Sequence, residues 1–117
     1  MNRDMLGRRL QRQGYRVTMA VDGRQALEFI KQEPFDLVLL DIMLPVMNGY
    51  EVLEHLKADQ SLSHIPVIIT TALDESDDKA KCMELGAEDY LTKPFNPVIL
   101  KSRISDCLER HHRAESG

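Results

Sequence analysis

A chain of 117 residues with a formal net charge of −4 is one domain's worth of polypeptide, long enough to bury a single core. Hydrophobic residues make up 43% and charged residues 29%, the balance of a soluble globular protein and not of a disordered or membrane-embedded one. No apolar stretch approaches a membrane span, no secretory signal is legible, and the acidic balance argues against direct nucleic-acid binding by this piece.

Met1 to Gln13 reads as a helix with an apolar side at Met5, Leu6 and Leu10, ended by Gly14 at a left-handed cap. Arg3, Arg8, Arg9 and Arg12 make it basic, which suits a solvated face or a dock for an acidic partner. Tyr15 to Val21 alternates enough for a strand, with Val17 and Met19 on one face. Asp22-Gly23 turns into a helix whose apolar spacing (Ala26, Leu27, Phe29, Ile30) runs to Lys31, and Pro34 blocks continuation. Phe35 to Leu40 is a short leucine-rich run that predicts a buried strand, and it stops at Asp41.

Asn48-Gly49 is a tight turn opening a helix over Tyr50 to Ala58, with Val52, Leu53 and Leu56 inward. A polar loop from Asp59 to His64 leads to a strand over Pro66 to Thr70, followed by Thr71-Ala72. Ser76 or Asp77 caps a helix that runs to Leu85 and ends at Gly86, and Asp74, Glu75, Asp77 and Asp78 make its start acidic. Asp89 to Thr92 is a short strand that finishes with Lys93-Pro94-Phe95. Asn96 or Pro97 begins the last helix, whose inward stripe is Val98, Leu100, Ile104 and Leu108. The domain thus occupies residues 1–109. Residues 110–117 form a polar, frayed tail or the start of a linker. Cys82 and Cys107 lack metal-ligand neighbours and read as reduced, half-buried thiols of a cytoplasmic protein, and the His111-His112 pair is too short for a metal site.

Alternating strands and helices predict an α/β fold, a doubly wound parallel sheet with helices on both faces. Parallel strands share one carboxyl edge, so Asp41, Thr71 and Lys93 would converge on one cleft. Each alone is ordinary; a strand-terminating Asp starts many turns. Together, an anion acceptor, a hydroxyl donor and an ammonium suit phosphoryl transfer.

Asp41-Ile42-Met43-Leu44-Pro45-Val46-Met47-Asn48-Gly49, Thr71-Ala72, Gly86-Ala87 and Tyr90-Leu91-Thr92-Lys93-Pro94-Phe95 stand in order and at separations that resemble the receiver domain of bacterial two-component response regulators. The similarity runs from Asn2 to about Leu108. It implies a flavodoxin-like sheet of order 2-1-3-4-5. It also implies that Asp41 accepts a phosphoryl group, with Mg²⁺ held in part by Asp41 and the backbone carbonyl of Met43. Lys93 would pair with a phosphoryl oxygen, before a peptide bond to Pro94 that the resemblance implies is cis. Thr71 would close on the phosphoryl group and Tyr90 would follow it as a switch. Met43 and Leu73, both apolar, cannot hydrogen-bond an attacking water, which predicts slow self-dephosphorylation.

One departure stands out. Family members begin with a buried strand ending in an acidic pair that helps hold Mg²⁺, whereas this chain opens on Met1-Asn2-Arg3-Asp4-Met5-Leu6, already helical in pattern. The reading is therefore an N-terminally truncated domain with weak or absent Mg²⁺ binding and slow phosphorylation, recoverable by restoring an acidic strand upstream. The implied partners are a histidine kinase or histidine phosphotransfer protein, and an attached effector domain or a homodimer, perhaps strand-swapped. Catalysis would extend no further than self-catalysed transfer and slow self-dephosphorylation. The rival readings are a non-phosphorylated pseudo-receiver acting as an interaction or dimerisation module, and an Asp-nucleophile phosphatase or dehalogenase. The last usually needs a second Asp two residues on, where Met43 stands.

Overall fold

A computed structural model describes residues 3–43, 46–71, 80–81, 83–92 and 96–116. The chain order is α1 (Arg3–Arg12), α2 (Gly23–Gln32), β1 (Val38–Asp41), α3 (Gly49–Ala58), β2 (Val67–Thr71), β3 (Asp89–Thr92) and α4 (Pro97–Ser116). The three strands form one parallel sheet in the order β1-β2-β3. Val38 pairs with Val67 and Asp41 with Thr70, while Ile68 pairs with Asp89 and Thr71 with Thr92.

Helices cover both faces, as the alternation of the strands requires. Leu27 and Ile30 of α2 and Val52, Leu53 and Leu56 of α3 bury against Leu40, Val67 and Ile69. Leu10 of α1 and Leu100, Ile104 and Cys107 of α4 bury against Ile68 and Leu91 on the opposite face. Successive residues of β2 therefore feed opposite cores, and all five are buried. A strand buried on both faces reads as a continuous apolar run, which is why Val67-Ile68-Ile69 shows no polar alternation.

Local chemistry sets the helix ends. Asp22 caps α2, its side chain accepting from Gln25 N at 2.7 Å. Asn48 caps α3 reciprocally with Glu51: Glu51 N donates to Asn48 Oδ1 at 3.0 Å and Asn48 N to Glu51 Oε1 at 3.4 Å. Asn96 Oδ1 accepts from Val98 N at 2.8 Å as α4 begins. Gly14 and Gly86 adopt φ of 97° and 103°, the left-handed caps expected of them.

Three expectations need correction. Tyr15 to Val21 is not a strand: it takes no regular secondary structure and forms no ladder with the described sheet. Alternation gave the segment strand character, but a strand exists only when a neighbour takes its backbone groups. The last helix does not fray at Arg110 but continues to Ser116. Its stripe also differs, since Val98 is 75% exposed and the fully buried Cys107 takes the inward place instead. Leu100, Ile104 and Cys107 keep i, i+4, i+7 spacing, whereas Val98 lies off that stripe in the helix's first turn. Burial pushes the Cys107 thiol pKa up.

Several expected features lie outside the described residues. These are Lys93, Pro94 and Phe95, the acidic run Asp74, Glu75, Asp77 and Asp78 with the cap at Ser76 or Asp77, Ala72, Leu73, Cys82, and the side chains of Arg3, Met5, Leu6, His111 and His112.

Candidate functional site at the carboxyl rim of the sheet

Asp41 is the last residue of β1 and Thr71 the last of β2, with Asp41 in register with Thr70. Their side chains therefore start from neighbouring strand ends at one rim. Asp41 is half-buried and Thr71 only 3% exposed. Thr92 ends β3 in register with Thr71, at this same rim.

The backbone that leaves β1 is held at several points. Ile42 N donates to Thr70 O at 3.2 Å, extending the ladder by one bond past the strand. Met43 N donates to Asp41 Oδ1 at 2.9 Å, an Asx-type turn that fixes the carboxylate's orientation. Gly49 N donates back to Ile42 O at 3.0 Å and closes the loop. A Cβ on Gly49 would lie 2.6 Å from Asp41 O and 2.8 Å from Ile42 Cα, so only glycine permits this approach. Gly23, at the start of α2, lies so close to the Met47 carbonyl that a Cβ there would overlap it. The loop of the acidic residue is thus clasped between two helix N-termini, each by a glycine.

The same loop carries backbone strain. Val46 adopts a φ of 67°, a left-handed conformation that a β-branched residue rarely takes. Met43 and Val46 are 80% and 76% exposed and give the rim beside Asp41 an apolar border. Tyr90 lies in β3 in register with Ile69, half-buried against the core on the α2–α3 side. On that side, too, the Lys81 ammonium stands 4.4 Å from the centre of the Tyr50 ring.

Among the described residues no group of three or more His, Cys, Asp and Glu side chains could hold a metal ion. Asp41 contributes one carboxylate, one of whose oxygens already accepts from Met43 N. Mg²⁺ asks for about six oxygens in near-octahedral array. One carboxylate and a neighbouring carbonyl do not make such a site by themselves.

Of the residues expected at the site, the structure brings Asp41 and Thr71 to one edge and places Tyr90 in β3, in register with Ile69. Sequence reasoning missed Gly23 and the Asn48–Glu51 pair. The pair was readable as Asn-x-x-Glu ahead of an apolar run. Gly23 had no such signal, because its neighbour is a carbonyl 24 positions away that only the tertiary fold supplies.

The model of the response regulator receiver domain matches residues 1–105. A probable transcriptional regulator, ycf27, of Porphyridium aerugineum is 42% identical over 115 residues, covering 98% of this chain and 47% of the relative. This chain spans less than half the length of that relative. Among solved structures, a response regulator from Chloroflexus aurantiacus superposes with a TM-score of 0.87 at 32% identity, covering 91% of this chain and 87% of the other. The receiver domain of the sensor histidine kinase PA1611 from Pseudomonas aeruginosa, described with a magnesium ion coordinated in its active-site cleft, superposes with a TM-score of 0.84 at 31% identity. Here the coverage is 92% of this chain and 88% of the other. A parallel sheet wound on both faces, an acidic residue at a strand's carboxyl end and a match spanning nearly the whole chain agree, and the chain belongs to the response regulator receiver domains of two-component systems.

Proposed function

We propose that Asp41 is the phosphoacceptor of this receiver domain and takes its phosphoryl group from a phosphohistidine of a histidine kinase or histidine phosphotransfer protein. The observation that carries this reading is the held carboxylate at the rim: half-buried, oriented by Met43 N, and one strand away from the Thr71 hydroxyl. A carboxylate oxygen of Asp41 attacks phosphorus in line. The new bond is O–P and the bond that breaks is P–N. Its electron pair returns to the imidazole nitrogen of the donor, so no oxidant or further reactant is needed.

Thr71 donates its hydroxyl to a phosphoryl oxygen of the product, and Lys93 supplies a compensating ammonium. Tyr90 then repacks against the space that Thr71 leaves and changes the surface read by a partner or an attached effector. Mg²⁺, when bound through Asp41 and the carbonyl of Met43, would offset charge on the phosphoryl oxygens. The donor set supports only weak binding, and slow phosphorylation follows. The apolar Met43 beside Asp41 offers an attacking water no hydrogen bond, which favours a long-lived acyl phosphate. The reading places the domain in the cytoplasm, where such donors are found, and limits its own chemistry to accepting and slowly losing phosphate.

The test is transfer of radiolabelled phosphate from a phosphorylated histidine phosphotransfer protein to the whole chain. Slow incorporation that disappears in Asp41→Asn supports the assignment; label retained by Asp41→Asn contradicts it. Thr71→Ala separates chemistry from switching: it should still take up label while losing the phosphorylation-dependent change in partner binding.

A further inference from the structure

Lys81 and Tyr50 come from distant stretches of the chain, yet the Lys81 ammonium stands 4.4 Å from the centre of the Tyr50 ring. A cation at that distance over a ring is attracted by the ring's quadrupole. The two partners differ in how firmly they are held. Tyr50 follows Gly49 in the first turn of α3. Gly49 N donates to Ile42 O at 3.0 Å, and a Cβ on Gly49 would lie 2.6 Å from Asp41 O. The backbone beneath the ring is therefore locked to the loop that carries Asp41. The ring itself is half-buried and packs against the core formed by α2 and α3.

Lys81 is exposed and rides on the helical residues that lead to the turn at Gly86. Leu85 N donates to Lys81 O at 3.1 Å, which couples the two residues through one helical turn. Leu85 packs against the same core as Tyr50, and so does Tyr90. In a close-packed core a shift of one side chain displaces its neighbours. Repacking of Tyr90 would reach Lys81 through Leu85, whereas Tyr50 is held in place by Gly49. We propose that Lys81 and Tyr50 form a latch: the ammonium over the ring holds the turn before β3 against α3 while Asp41 is unmodified, and the contact is given up when Tyr90 repacks. A contact made in one state only shifts the balance between the states by its own strength, roughly two- to fivefold for an exposed ammonium. The latch opposes phosphorylation by that factor and so sets a threshold for the signal. The inference rests on Asp41 as phosphoacceptor and Tyr90 as switch.

The whole chain is equilibrated with a radiolabelled histidine phosphotransfer protein, and the ratio of label on the chain to label on the donor is measured. Lys81→Met keeps the stem and removes the charge; Tyr50→Leu keeps apolar bulk and removes the ring. Each should raise the ratio by roughly two- to fivefold, and the double variant no further, because all of them lose the same contact. Tyr50→Phe keeps the ring and should hold the parent ratio. Proton NMR of the unphosphorylated chain gives a readout independent of transfer. The ring should shift the Lys81 ε-methylene signal upfield in the parent and in Tyr50→Phe, and not in Tyr50→Leu. Label on the parent with an unchanged ratio in the variants, or effects that add in the double variant, would overturn the latch and leave Asp41 as acceptor. A parent without the upfield Lys81 signal would overturn it as well. Absence of label from the parent would refute the acceptor assignment, and the release of the latch with it.

Discussion

β2 and the Tyr15–Val21 segment are made of similar material, yet one is the most buried element of the sheet and the other is no strand at all. Val67, Ile68 and Ile69 are fully shielded, and Ile68 and Ile69 are paired on both sides. Tyr15 and Val17 are half-buried, and Met19 and Val21 are exposed. β-Branched and aromatic residues measure fitness for a pleated, half-buried surface, not an intrinsic commitment to one. Pairing makes the first segment a strand; the second, with no ladder in the described sheet, takes no regular structure.

The contrast is open to attack by mutation. Ile68→Ala should cost about 2–5 kcal/mol, because Ile68 is wholly buried between α1 and α4 and little can collapse into the void. Val17→Ala should cost about 1 kcal/mol or less, since the side chain is half in water already. Urea unfolding of the two variants reads the difference directly, and equal losses would erase the distinction. Gly49→Ala extends the test to the loop that the paired strand supports. The added methyl meets the Asp41 carbonyl at 2.6 Å, so about 1–3 kcal/mol of stability and much of the phosphotransfer rate should go together.

The smaller effects lie where backbone, not packing, sets the terms. Val46→Gly relieves a left-handed β-branched residue and should stabilise by about 1 kcal/mol, measured by the shift in urea midpoint. No gain would mean that other contacts of the loop repay its conformation. At the far end of α3, the Ser61 hydroxyl and Ser61 N both donate to Asp59 Oδ1, at 2.7 and 2.9 Å, and lower the Asp59 pKa below its ordinary 3.8. A depressed folded pKa contributes stability above the unfolded value that is lost as pH falls through the folded one. Ser61→Ala should raise the Asp59 pKa toward 3.8 in an NMR titration and shift the acid end of the stability profile only slightly.

Much of this was legible in the sequence. The runs at Val38–Asp41, Val67–Thr71 and Asp89–Thr92 are strands as read, with boundaries moved by a residue or a few. Asp41 and Thr71 could be placed on a common edge because parallel strands leave no other arrangement. What escaped were facts that live between segments. Nothing in Gly23 announces the carbonyl of Met47, and Val46 carries no mark of its positive φ. The helical run through Ser116 differs for another reason: a polar tail reads as an ending, although helical hydrogen bonds within a continuous segment need no apolar face.

The central claim is that one carboxylate at the rim carries the signal. After exposure to a phosphohistidine donor, reduction with borohydride converts an aspartyl phosphate into a residue distinguishable by mass, and peptide mapping locates it. The account predicts that the reduced position is Asp41 and that Asp41→Asn yields none. Modification at any other carboxylate, or an unreduced Asp41 in chain that has taken up phosphate, would contradict it.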